Sequence, residues 1–171
     1  MTSNKLLLTC AILMCMTLFQ SEDTLADEAI ISLPKASEIK HAKLAFYPLS
    51  INTYAPVTES EILSNGCVFE IEEGSEQLTQ LTQILEPNIV VSHKGNQNFN
   101  IRNVIYLELM DESIVRLIIS DAHNVQPGVF GIIGNKKNSS EGYITSNENM
   151  LKILRSWARK NIPVQNSSTF C

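Results

Sequence analysis

The most regular alternation of apolar and polar residues in the chain lies in two segments, Ile101–Met110 and Ile114–Ser120. Because successive side chains of a strand point to opposite faces of a sheet, the alternation predicts two β-strands with one apolar face each. The three residues between the segments favour a tight turn, and therefore an antiparallel hairpin. The register that matches apolar positions across this hairpin pairs Met110 with Ile114.

Shorter patterns predict four more strands and three helices. The strands are expected at Lys43–Leu49, Cys67–Ile71, Val129–Ile133 and Gly142–Thr145, and the helices at Thr58–Asn65, Glu76–Leu85 and Glu148–Lys160. Thr58 and Glu61 have the spacing of a capping box, in which each side chain bonds to the other residue's backbone N–H. In the last helix, the apolar residues cover one wide face.

The order of these elements predicts the fold class. Most of the strands follow one another with only short turns between them, which favours an antiparallel sheet. We therefore predict an α+β domain with a mainly antiparallel sheet of about five or six strands. Two or three helices are expected to pack on one face of that sheet.

The N-terminus has the features of a cleavable export signal. Lys5 precedes an uncharged apolar run, Leu6–Phe19, and small residues at Thr24 and Ala26 fit a cleavage site after Ala26. The run is shorter than the ~20 apolar residues that span a bilayer. The prediction is a signal peptide at 1–26 and a single exported domain at 27–171, located in the periplasm or outside the cell.

Lipid attachment is the alternative interpretation of this segment, because Cys10 and Cys15 lie in the apolar run. A lipoprotein signal has a small residue directly before the modified cysteine, whereas Thr9 and Met14 stand there. Cleavage without lipidation is favoured, and the processed domain is then not expected to associate with a membrane.

The charge of the chain limits the classes of molecule that it is expected to bind. It contains 13 Lys and Arg against 18 Asp and Glu, and its formal charge is −5. Proteins that bind nucleic acids need clustered positive charge to displace counterions from phosphates. The pair Lys136-Lys137 in a polar segment does not form such a cluster, so a nucleic-acid partner is not expected.

Two cysteines, Cys67 and Cys171, remain after the predicted cleavage. In an oxidising compartment, an even pair favours a disulfide. The bond would close a loop of about a hundred residues, which chain-entropy estimates value at ~4–5 kcal/mol. The alternative is a thiol hydrolase in which Cys67 is the nucleophile and His93 or His123 the base. The disulfide is favoured, because Cys67 begins a strand rather than a helix and lacks a thiol-protease signature around it.

The sequence supports a metal or cofactor site less well than it supports the disulfide. Asp121, His123, His93, Glu108 and Glu112 are of metal-ligating types, but they lack the close spacing of known zinc motifs. No metal or other cofactor is therefore expected. Glycosylation sequons begin at Asn138 and Asn166, and the sequence leaves their use open.

The polar face of the hairpin is the candidate partner-binding face. It carries Arg102, Tyr106, Glu108 and Arg116, and in the predicted register Glu108 lies opposite Arg116. If the helices cover the apolar face, this polar face is left to meet a partner, and Tyr and Arg are enriched at interface hot spots. The alternative is an ordinary solvated sheet face.

A binding function follows by elimination. Small exported α+β domains that lack a catalytic signature include inhibitors of cell-wall hydrolases and immunity proteins that neutralise toxins. We therefore expect a protein-binding domain with another protein as its partner. A small envelope hydrolase that uses Cys67 and an accessory subunit of a surface assembly are the alternatives, and the oligomeric state is open.

Overall fold

The computed structural model describes residues 31–48, 55–95, 99–120, 129–135, 137 and 140–165. Several positions singled out by the sequence lie outside these residues, and what was expected of them stays a prediction. They are the signal peptide at 1–26, Asp121, His123, Asn138, Asn166 and Cys171.

Seven strands and three α-helices form the described fold. The strands are β1 (Ile39–Phe46), β2 (Cys67–Ile71), β3 (Ile89–Ser92), β4 (Ile101–Leu109), β5 (Ile114–Ser120), β6 (Val129–Asn135) and β7 (Ser140–Ser146). The helices are α1 (Glu59–Asn65), α2 (Glu76–Leu85) and α3 (Glu148–Asn161). A short 3-10 helix, Ala36–Glu38, precedes β1.

All seven strands belong to one sheet, in the order β2-β1-β4-β5-β6-β7-β3. Every neighbouring pair in this sheet is antiparallel. The predicted α+β class and the mainly antiparallel sheet are therefore confirmed, with slightly more strands than expected. The strand that the sequence did not reveal is β3, whose four residues are too few to show an alternation.

One face of the sheet, which we call the inner face, packs against α2 and α3. Its core includes Phe69, Ile105 and Leu117 from the strands together with Leu81 and Leu154 from the two helices. Burial of these side chains away from water is the main stabilising contribution to the fold.

The two inner helices also contact each other. The Trp157 indole Nε1 of α3 donates a hydrogen bond to Gln80 Oε1 of α2 at 2.8 Å. Trp157 is only partly buried against the core. The indole therefore connects α3 to α2 at the border of the core.

The opposite face, the outer face, carries α1. Ile62 of α1 is fully buried in a second, smaller cluster with Ala45, Val68 and Val104 of the sheet. The capping box predicted at its start is present, because Thr58 Oγ1 accepts from the Glu61 N–H while Glu61 accepts from the Thr58 N–H. Two helices thus share one face, and the third lies on the other.

The β4–β5 hairpin is confirmed, but its predicted register was wrong. Tyr106 lies opposite Arg116 and Glu108 opposite Ile114, so Glu108 and Arg116 are not directly paired. The turn closes one residue earlier than predicted, because the Leu109 N–H bonds to the Ser113 carbonyl at 2.8 Å. Glu112 adopts a positive φ of 64° in this turn, as is usual in three-residue hairpin loops. The loop geometry outweighed a single exposed charge pair, which contributes only ~0.2–1 kcal/mol.

Candidate functional site

The outer face holds the four residues predicted to form a partner-binding face. Tyr106 and Arg116 lie side by side on β4 and β5, but they do not face open solvent. α1 packs mainly on β1, β2 and β4, and its first residue, Glu59, reaches both side chains. The centre of the predicted face is therefore occupied by part of the protein itself.

Glu59 makes two hydrogen bonds at this position. The Tyr106 hydroxyl donates to Glu59 Oε2 at 2.6 Å, and Arg116 Nη1 donates to Glu59 Oε1 at 3.1 Å. Burial and the bond to the Glu59 carboxylate raise the pKa of the Tyr106 phenol well above its usual range. The phenol therefore stays neutral at physiological pH and acts as a hydrogen-bond donor that holds α1 on the sheet.

Glu108 and Arg102 have separate environments. Glu108 accepts a hydrogen bond from Lys40 Nζ at 3.1 Å, and both side chains are substantially exposed. The Arg102 guanidinium lies 5.2 Å from the centre of the Tyr47 ring, which is within range of a cation–π contact. The structure therefore brings only Tyr106 and Arg116 together directly.

Beyond α1, the outer face continues over β6 and β7. Ile132 on β6 lies opposite Tyr143 on β7, and Phe130 lies opposite Thr145. Phe130, Ile132 and Tyr143, which we call the outer patch, are each partly exposed. Gly95 packs directly on Tyr143, since a Cβ built there would lie 2.4 Å from the Tyr143 Cβ. The sequence alternation in β6 and β7 is too short to reveal this patch.

Charged side chains border the outer patch on the side nearest α1. Arg116 Nη2 lies 3.6 Å from Glu141 Oε1, and the Glu141 side chain is mostly exposed. Arg116 therefore interacts with a carboxylate on either side, Glu59 from α1 and Glu141 from β7. The result is an apolar and partly aromatic centre next to a charged border.

The structure does not bring Cys67 and His93 together. Cys67 begins β2 at one edge of the sheet, whereas His93 follows β3 at the other edge, with five strands between them. Six strand spacings of ~4.8 Å amount to about 29 Å along the sheet. Cys67 is only 1% exposed. The pairing of Cys67 with His123 involves a residue outside the described part of the chain.

A buried polar cluster at one end of the sheet was not predicted. Asn103 is fully buried, and its Oδ1 accepts from Arg155 Nη2 at 2.7 Å and from Arg155 Nε at 3.2 Å. Asn103 Nδ2 donates to the Ser120 carbonyl at 3.0 Å. The Arg155 guanidinium also lies 5.4 Å from the centre of the Phe46 ring. Asn103 interrupts the apolar odd positions of β4, and a single polar residue at such a position gives no sign in the sequence that its side chain is buried.

Among the described residues, no group of three or more His, Cys, Asp or Glu is placed to hold a metal ion. None of the helices described is long and apolar enough to cross a membrane.

Comparison with known proteins found no counterpart for this chain. No protein-family model, no curated protein sequence and no solved structure matches it.

Proposed function

We propose that this chain is an exported domain that binds another protein, as inhibitors and immunity proteins do. The observation that carries the proposal is the outer patch, where Phe130, Ile132 and Tyr143 are partly exposed beside the charged pair Arg116–Glu141. Protein interfaces combine an apolar centre, rich in aromatic residues, with a polar rim. Tyr and Arg are also the residue types most often found as hot spots.

The position of α1 supports the choice of this surface over the one predicted from the sequence. Glu59 engages Tyr106 and Arg116, so these two side chains are partly withdrawn from an external partner. The same contacts fix α1 beside β6 and β7 rather than over them, since α1 packs mainly on β1, β2 and β4. The proposed binding surface, on β6 and β7, therefore lies two strands away from the predicted face on β4 and β5.

Export and a disulfide between Cys67 and Cys171 are part of the proposal. An isolated bridge pairs Phe69 with Val164 in antiparallel fashion, and the Gln165 N–H donates to the Val68 carbonyl at 2.9 Å. At Gln165 the chain therefore runs along β2 towards Cys67, and Cys171 is six residues further on. Six extended residues span at most about 21 Å. This direction and length support the pairing.

Capture of a partner tests the proposed function. The protein is immobilised and exposed to the envelope fraction of its own cells and to secretions of neighbouring cells. We expect one stoichiometric protein partner that binds the wild type and is lost with Ile132→Glu, which puts a charge into the outer patch. Ile153→Glu is the matched control, because Ile153 is 51% exposed on α3 and lies away from the patch.

The partner's own activity separates an inhibitor from a passive binder. For an inhibitor or immunity protein, the partner's enzymatic or toxic activity falls to a minimum at a one-to-one ratio. Two outcomes contradict the proposal: no partner is recovered, or the recovered partner binds the two variants equally well.

One observation favours a second candidate function, an accessory subunit of a surface assembly. Strand β3 forms an edge of the sheet, and Val90 at its centre is 65% exposed. Assemblies often grow by adding strands to such edges. A subunit of this kind would be recovered within a larger complex whose composition changes when Val90 is replaced, and Ile132→Glu would leave that complex intact.

A further inference from the structure

The two edge strands of the sheet, β2 and β3, differ in whether another segment of the described chain pairs with them on the side away from the sheet. Along β2, the C-terminal segment adds the bridge at Val164 and the bond from Gln165. Strand β3 is hydrogen-bonded to β7 on one side. In the described part of the chain, no strand pairs with its other side.

The residues of β3 lack the usual protection of an edge strand. Edges are commonly blocked by Lys, by Pro or by a bulge, which prevent pairing with another chain. The β3 sequence is Ile-Val-Val-Ser, without charge or proline, and its pairing with β7 is regular over all four residues. Val90 projects from the outer face at 65% exposure, whereas Ile89 and Val91 pack towards the inner core.

We propose that β3 pairs with β3 of a second copy of this chain, antiparallel about a two-fold axis, so that the two sheets become continuous. The inference is independent of the proposed binding through the outer patch, because it uses the edge of the sheet, and it is an alternative to strand addition by an accessory subunit at that same edge. A two-fold contact of this type closes on itself and gives a dimer rather than a filament.

The alternation of side chains restricts the register of this pairing. Residues directly opposite each other in antiparallel strands lie on the same face of the sheet. Val90 is on the outer face and Val91 on the inner face, so Val90 cannot lie opposite the partner's Val91. In the register centred on Val90, Val90 lies opposite the partner's Val90, and Ile89 lies opposite the partner's Val91.

The charges that flank β3 favour the antiparallel direction and this register. Glu86 is the C-cap residue of α2 just before the turn into the strand, Lys94 follows the strand, and both side chains are exposed. In an antiparallel pairing centred on Val90, the end of each strand that carries Glu86 meets the end of the partner strand that carries Lys94. A parallel arrangement would instead bring like charges together at each end. This charge complementarity identifies a second copy of the chain as the occupant of the edge.

Cysteine cross-linking tests the register. In the exported chain, which lacks Cys10 and Cys15 once the proposed signal peptide is removed, Val90→Cys would place two thiols opposite each other at a Cα separation of ~4.5–5.5 Å, which a disulfide can bridge. We expect diamide, which takes up the two thiol hydrogens, to give a covalent dimer on a non-reducing gel. Val164→Cys is the matched control, because this valine is 40% exposed at the covered edge. It should not cross-link.

Sedimentation equilibrium of charge-reversal variants tests whether a second copy of the chain binds at the β3 edge. We expect the wild type to dimerise, and Glu86→Lys or Lys94→Glu alone to raise the dimer dissociation constant roughly fivefold. The double variant Glu86→Lys/Lys94→Glu should restore it. Val90→Lys, with a charge in the middle of the edge, should raise it at least about tenfold.

Three results would overturn the proposal. The first is a wild type that stays monomeric up to about millimolar concentration. The second is a dimer that Val90→Lys does not weaken, because its interface then lies elsewhere. The third is equal cross-linking of the Val90→Cys and Val164→Cys variants. Circular dichroism of each variant shows that the fold itself is retained.

Discussion

Asn103 connects the sheet to α3 by buried hydrogen bonds. Its amide oxygen accepts two hydrogen bonds from the Arg155 guanidinium, and its amide nitrogen donates to backbone carbonyls of β5. A fully buried side chain that must both accept and donate has few alternatives to Asn. Arg155 is itself 7% exposed, so its charge depends on such contacts to offset the loss of hydration.

Replacing Asn103 with Ala should therefore be costly. The change leaves buried donors of Arg155 and a buried carbonyl of β5 without their present partner. We expect the free energy of unfolding in urea to fall by about 3 kcal/mol. Asn161→Ala, at an exposed position of α3, should change it by only about 0.5 kcal/mol. Equal effects of the two changes would show that the buried contacts are unimportant.

Tyr106 should respond to alkaline pH in a specific way. Its phenol pKa is raised by burial and by the bond to Glu59. The stability that this adds is complete below the ordinary phenol pKa of about 10 and is lost as the pH rises towards the folded pKa. Phenolate absorbance near 295 nm should reveal one tyrosine that ionises only as the protein unfolds.

The control for this titration is Tyr106→Phe, which should remove that late step. If the wild type shows no late step, the contact between Tyr106 and Glu59 does not persist in solution.

At the scale of elements, α1 depends on contacts at its N-terminus. It contains only seven residues, and a helix this short is unstable without tertiary contacts or caps. Thr58 and Glu61 provide the cap, and Ile62 provides a fully buried contact with the sheet. Because Glu59 in the same turn binds Tyr106 and Arg116, a loss of the cap is transmitted to the outer face.

Thr58→Ala should lower the free energy of unfolding by about 1 kcal/mol, because it leaves the Glu61 N–H without its side-chain acceptor. Ser64→Ala, within the exposed part of the same helix, should have almost no effect. Thermal or urea denaturation measures both. The role of the cap is disproved if the two variants are equally stable.

The elements that could be predicted from the sequence are those whose signals are local. The hairpin β4–β5, the Thr58 capping box and the helix Glu76–Leu85 all follow from residues within a few positions of each other. The register of the hairpin depended on the local geometry of its turn, whereas two other features required long-range information. The position of α1 on the outer face depends on Glu59 meeting residues 47 and 57 positions away, and β3 is recognisable only through its pairing with β7.

The C-terminal segment is the element that the proposed disulfide would fix. Cys171→Ser should lower the free energy of unfolding by about 4 kcal/mol, since the bond restricts a loop of about a hundred residues in the unfolded chain. Urea unfolding with and without reductant measures this, and reductant should destabilise only the wild type. If the unreduced, denatured wild type reacts with maleimide at both Cys67 and Cys171, no such bond exists.

At the scale of the whole molecule, the two faces of the sheet have different roles. The inner face and its two helices contain most of the buried apolar residues and stabilise the fold. The outer face is covered by α1 over one half, and its other half presents the outer patch. Among the described residues, the surfaces that we propose for partners are the outer patch on β6 and β7 and the edge of β3.

The dissociation constant of the captured partner shows whether the outer patch is the binding surface. Titration calorimetry would compare the wild type, Ile132→Glu and the control Ile153→Glu against the same purified partner. We expect Ile132→Glu to weaken binding at least about thirtyfold, which corresponds to the loss of ~2 kcal/mol or more at a hot spot. Ile153→Glu should bind as the wild type does. Equal dissociation constants for all three proteins would contradict the assignment of the outer patch as the binding surface.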